Sequence, residues 1–115
     1  MKLILLFLNK EERLNEILEA MMELGVSGAT VIDSVGMGRI LAHDIPIFAG
    51  FQNLLHDSRP GNKIIFSVVP ENKVLPLAKE VEHVLGPLDE PGNGLLISLP
   101  VDFVRGLPKK NKELF

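Results

Sequence analysis

Residues 2–25 read KLILLFLNKEERLNEILEAMMELG, and residues 63–86 read KIIFSVVPENKVLPLAKEVEHVLG. The two stretches carry one pattern. Each opens on a lysine followed by six residues that are apolar apart from Ser67, and each closes on a glycine 23 positions after that lysine. A run this short and this apolar suits a strand with both faces covered. After the first run, Leu14, Ile17, Leu18, Met21 and Leu24 recur at helical spacing, which predicts one buried stripe. Val74, Leu77, Ala78, Val81, Val84 and Leu85 do the same after the second. Gly25 and Gly86 stand just past the last apolar positions, where a left-handed residue ends a helix at little cost. Asn9, with Glu12 three residues on, predicts a side-chain cap at the first helix start. Pro76 comes early enough in the second helix to fall in its first turn or to mark its true start.

Residues 28–35 (GATVIDSV) and 94–99 (GLLISL) follow the two glycines and supply the second and fourth strands. The expected fold is therefore α+β: two βαβ units interleaved as a ferredoxin-like βαββαβ domain. Its four-stranded antiparallel sheet carries both helices on one face. Both alternate sets of side chains in residues 3–8 are hydrophobic, so the helix-free face needs a further layer. Another copy of the chain is the expected cover.

Composition points the same way. A chain of 115 residues is expected to form a single domain, 1–115. Its hydrophobic content of 46% and mean hydropathy of +0.24 are high for so small a body, which favours a subunit interface. A net charge of −3 offers no basic face to a phosphate backbone, so nucleic acid is not an expected partner. Without cysteine there is no disulfide, thiolate metal site or thiol catalysis. The apolar run after Met1-Lys2 is too short for a secretion signal, and no stretch is long enough for a membrane span. A cytoplasmic protein is the expectation.

Two segments interrupt the duplication. Residues 36–61 are too long for an ordinary connection. They open on Gly36-Met37-Gly38-Arg39, read as flexible backbone leading to a cation, and continue to Ile47, Phe48, Phe51, Leu54 and Leu55 at helical intervals. A short amphipathic helix between Pro46 and Asp57 is expected there, packed on its own assembly or offered to a target protein. Residues 87–94 end on Gly92-Asn93-Gly94, a turn that permits positive φ and can present successive N–H groups to an anion. The tail, 101–115, ends in a solvated lysine-rich stretch. His43 and His56, each followed by an acid, are weak metal candidates, since zinc or copper needs three or four convergent ligands. No nucleophile, base and acid fall into a catalytic pattern, so no enzyme activity is expected.

These features together resemble the PII signal-transduction proteins. Gly25-Val26-Ser27-Gly28-Ala29-Thr30-Val31 is similar to the Gly-x-x-Gly-x-Thr-Val with which that family begins its second strand. Gly36-Met37-Gly38-Arg39 resembles the Gly-Phe-Gly-Arg that opens its T-loop, and Gly92-Asn93-Gly94 resembles the Gly-Asp-Gly of its phosphate-binding B-loop. The resemblance implies a homotrimer with an adenine nucleotide in the clefts between subunits and no required cofactor. It implies a signalling role in nitrogen regulation, exerted on a target protein, a membrane transporter among the candidates, through residues 37–60. Ser27, Gly28, Ala29 and Thr30 would face the adenine. Gly36, Met37, Gly38 and Arg39 would lie at the T-loop base, and Gly92, Asn93 and Gly94 would contact phosphates. Phe48, Phe51, Leu54 and Leu55 would dock the partner.

The departures bear on the ligand. Leu95 replaces the family's basic residue after Gly-Asp-Gly, and Leu88-Asp89-Glu90 replaces its Thr-Gly-Lys. Ile40 stands in place of the glutamine that supports Mg-ATP and 2-oxoglutarate, the paired arginines shrink to Arg105, and no tyrosine exists for uridylylation. Each reversal of charge beside a triphosphate costs on the order of 1 kcal/mol or more. AMP, ADP or a cyclic nucleotide therefore fits better than Mg-ATP with 2-oxoglutarate. Two other readings share the fold: a CutA-like metal-responsive trimer, resting on His43 and His56, and a free-standing ACT-like amino-acid sensor. The second usually needs a glycine in the turn after strand one, where this chain has Asn9-Lys10-Glu11.

Overall fold

The two apolar runs become the central pair of the sheet. In the computed structural model, which describes residues 1–26, 28–44 and 62–107 (the side chains of Arg39, Ala42, His43 and Asp44 apart), β1 (Lys2–Leu8) pairs antiparallel with β3 (Asn62–Val69). Lys2 lies opposite Val69 and Leu8 opposite Lys63. β2 (Thr30–Ser34) adds to β3 and β4 (Leu95–Pro100) to β1, so the antiparallel order is β2-β3-β1-β4. Helices α1 (Leu14–Glu23) and α3 (Val74–Leu85) pack against each other, and α2 (Met37–Asp44) follows β2. The fold is α+β and compatible with a ferredoxin-like arrangement.

Pleating sends alternate side chains of β1 to opposite faces. Ile4, Leu6 and Leu8 join Ile65 and Val69 of β3 in the core, under Ile17 and Met21 of α1 and Leu77, Val81 and Leu85 of α3. Of the stripes read from the sequence, these five helix residues are buried, Leu14, Leu18, Leu24, Val74 and Val84 pack partly buried against them, and Ala20 is buried although it lies outside the stripe. The opposite face holds Leu3, Leu5 and Phe7, flanked by Ile64, Phe66 and Val68 of β3 and by Leu95, Ile97 and Leu99 of β4. These are half-buried or exposed; Leu95 retains 55% and Leu99 42% of its surface. Ser67 is the buried polar side chain among the described residues, and its hydroxyl donates to the Gly28 carbonyl.

Both helices begin differently from expectation. A 3-10 turn precedes each, closed by Arg13 N–H to Lys10 C=O at 2.9 Å and by Lys73 N–H to Pro70 C=O at 3.0 Å. Asn9 therefore makes no cap: the tighter turn moves the helix start beyond its reach, and no side-chain cap forms at either junction. Pro76 does lie in the first turn of α3. Gly25, at φ +84°, closes α1 as a Schellman motif, with Gly25 N–H to Met22 C=O and Val26 N–H to Met21 C=O at 2.9 Å each. Gly86, at φ +96°, ends α3, but Pro87 has no N–H with which to complete that motif.

The second strand is shorter than residues 28–35, and the fourth shifts by one from 94–99. Gly36-Met37-Gly38-Arg39, read as flexible backbone, instead starts α2. Ile40 N–H closes onto Gly36 C=O at 3.2 Å, and the good helix formers Arg39, Leu41 and Ala42 outweigh Gly38. Ser27, the docking residues Phe48, Phe51, Leu54 and Leu55, the expected 46–57 helix, His56 and the end of the tail lie outside the described residues. Among the described residues, no helix is long and apolar enough to cross a membrane.

Leu77 is 1% exposed at the junction of both helices and the sheet. Leu77→Ala should cost about 2–5 kcal/mol, read as a lower midpoint in urea denaturation; an unchanged midpoint would contradict this core.

Candidate functional site

The expected ligand residues fall at three places in the chain. Gly28, Ala29 and Thr30 lie where β2 begins. Gly36 to Arg39 lie where β2 ends, about 13 Å further along at the usual strand rise. Gly92, Asn93 and Gly94 share the second end of the sheet but on its other edge, about 14 Å across three strand spacings. One chain does not bring them together.

At the first end the sheet is incomplete. β4 runs the length of β1 from Leu95, opposite Phe7, to Pro100, opposite Lys2. β2 reaches only Thr30, opposite Phe66, so Ser67, Val68 and Val69 of β3 have no strand beside them on that side. The space where β2 would continue is an open cleft of about 500 Å³. Gly28, Ala29 and Thr30 form one wall, Phe66 and Val68 another, and Lys73 stands at the helix side. No Asp or Glu lines it among the described residues. Its chemistry is apolar surface, open strand backbone and one cation.

The other end is filled and clamped. Lys10 Nζ donates to Leu85 C=O and to Asn93 Oδ1, both at 2.9 Å. Asn93 Nδ2 donates in turn to Pro87 C=O at 2.7 Å, and Leu88 N–H donates to the Glu82 carboxylate at 2.9 Å. Gly92 at φ +86° and Gly94 at φ +122° adopt the positive φ expected of them, and a Cβ on Gly94 would stand 3.1 Å from the Phe7 carbonyl. Asp89 and Glu90 are exposed on this turn. Sequence reasoning missed Lys10, because its partner Asn93 is 83 positions away. At the start of β3, Asn62 packs beside Gly36, and its buried Oδ1 has no partner among the described residues.

Asp33 and Lys63 face each other across β2 and β3 and form an ion pair, with Glu11 at 3.8 Å from the same ammonium. The hydrogen bond to Asp33 holds the Lys63 ammonium above the usual lysine value of 10.5, with the negative charges of Asp33 and Glu11 adding to it and desolvation opposing it. Among the described residues no group of three His, Cys, Asp or Glu converges to hold a metal. The side chain of His43 and the whole of His56 are outside that description. Neither gains support as a ligand. No protein-family model and no curated protein matches the chain.

Two outcomes follow from this geometry. Lys10→Met strands Asn93 Oδ1 and the Leu85 carbonyl; it should cost about 1–3 kcal/mol and speed amide exchange across 87–94, whereas unchanged exchange would mean the clamp is idle. A raised lysine pKa stabilises the fold fully below its unfolded value and stops doing so as pH climbs through the folded one. The β2 edge should therefore loosen above pH 10.5, and Lys63→Gln should remove that alkaline step from a pH series of thermal melts.

Proposed function

We propose that the chain is a PII-like signalling protein of ferredoxin-like βαββαβ topology, a cytoplasmic homotrimer that binds a small effector in its intersubunit clefts. The effector class is an adenine nucleotide of low phosphate charge, and no catalysis is involved. Binding biases residues 37–60, through which a target protein is engaged.

The observation that carries this reading is the division of the expected ligand residues between the two outer edges of one sheet. Gly28 to Thr30 stand at the β2 edge and Gly92 to Gly94 at the β4 edge. Two edges of one sheet cannot meet, but the β2 edge of one copy can meet the β4 edge of the next. The apolar face carrying Leu3, Leu5 and Phe7 supplies a reason for copies to assemble. The exposed acids Asp89 and Glu90 argue against a triphosphate at the glycine turn.

Sedimentation velocity at micromolar protein, followed by calorimetric titration with AMP, ADP, ATP and a cyclic nucleotide, tests the reading. The expected result is a trimer that binds AMP or a cyclic nucleotide more tightly than ATP. A stable monomer would remove the clefts and the proposal with them. A trimer preferring ATP would overturn the argument from the acidic turn.

A further inference from the structure

The duplicated halves place equivalent cations at equivalent positions, and the two differ in one respect. Arg13 and Lys73 are each the last residue of the 3-10 turn before a helix. Each lies near the C-terminal end of the other half's helix. Arg13 is fully committed there: one nitrogen donates to Val84 C=O at 2.9 Å and another pairs with Glu16 at 2.8 Å. Lys73 Nζ lies 3.6 Å from where a Cβ on Gly25 would be, yet it makes no hydrogen bond or ion pair among the described residues. It is half-buried at the wall of the 500 Å³ cleft.

The spaces beside the two cations differ as well. On the Arg13 side, residues 87–93 and the Lys10–Asn93 clamp occupy the room next to the helix end. On the Lys73 side the chain passes from Gly25 to Thr30 in a few residues, and β2 starts opposite Phe66. Val68 has the same place in its half that Phe7 has in the other; Phe7 is covered by β4, and Val68 has no neighbour on β2. An uncommitted ammonium, open strand backbone and apolar walls from Phe66 and Val68, with no carboxylate, form the complement of one ligand chemistry. That chemistry is an anionic group on an apolar or planar body.

We infer that Lys73 is the charge contact of this cleft, binding the carboxylate or phosphate monoester of a small organic anion whose body lies against Phe66 and Val68. The inference rests on the proposed reading of Gly28, Ala29 and Thr30 as ligand residues, and adds to it which group holds the charge. A charge-assisted hydrogen bond at a half-buried site corresponds to about tenfold in affinity.

The test is calorimetric titration of the full chain with AMP, adenosine and hexanoate, repeated on Lys73→Gln and Lys73→Arg. AMP or hexanoate should bind, weaken about tenfold in Lys73→Gln and recover in Lys73→Arg, with adenosine unaffected by either change. Hexanoate binding that depends on Lys73, without binding of AMP or adenosine, would uphold the inference and sink the nucleotide reading. AMP binding equal in wild type and Lys73→Gln would overturn the inference and leave the nucleotide reading standing. A Lys73→Gln variant that melts earlier but binds unchanged would make Lys73 a counter-charge to the end of α1, which also overturns it. No binding of any of the three probes to wild type overturns it too.

Discussion

A strand that is hydrophobic on both faces cannot be satisfied by one layer of helices, and β1 is such a strand. Pleating gives Ile4, Leu6 and Leu8 to the helices and leaves Leu3, Leu5 and Phe7 on the other side. The register then extends the second set across β3 and β4, through Phe66 and Val68 to Ile97 and Leu99. Fully burying one such side chain is worth about 1.5–3 kcal/mol, whereas an exposed ion pair contributes about 0–1 kcal/mol. Magnitude decides the matter. The pressure to cover this face exceeds anything the charged groups at the sheet ends can supply.

Duplication explains the core, and the places where duplication fails explain the sites. The two halves match in strand, 3-10 turn and helix, and even in the cation that ends the turn. They part at the helix ends. Gly25 leads into a complete Schellman motif and a short passage to β2, held by the Ser67 hydroxyl on Gly28. Gly86 is followed by Pro87, which cannot donate, so the chain wanders through 87–93 before β4. A longer connection has more conformational freedom to lose, and Lys10, Asn93 and Glu82 supply the bonds that fix it. One end is thereby filled and the other left open.

What the sequence made legible was local and periodic. The helical stripes, the closing glycines and the place of Pro76 are all set within a few residues, so spacing alone reveals them. Where two local preferences compete, the reading failed. Asn9 has the chemistry of a cap, but the 3-10 turn at Glu11–Arg13 takes the helix start out of its reach. Gly36 and Gly38 suggest flexibility, but Arg39, Ile40 and Leu41 sustain a helix around them. The cleft was out of sight altogether, because it arises from β2 stopping three rungs short, and register is a property of paired strands. A signal did exist for Lys73: it stands four residues before Leu77 as Arg13 stands four before Ile17, and a pair of cations so matched invites asking what each one meets.

The distribution of committed charge also bears on how a ligand would lie. At the glycine-turn end Lys10 is held by Leu85 and Asn93, and Lys63 by Asp33 and Glu11. Arg13 is held by Val84 and Glu16. Asp89 and Glu90 are exposed at that end. At the cleft end the balance is reversed, with Lys73 free of internal acceptors among the described residues and no acid in the lining. Two unit charges 4 Å apart interact by about 1 kcal/mol even in bulk water and by about 4 kcal/mol near a protein surface. An anion spanning two copies would therefore set its charge beside Lys73 and its neutral body toward the glycine turn of the next. That orientation is opposite to the one the Gly92-Asn93-Gly94 resemblance suggests by itself.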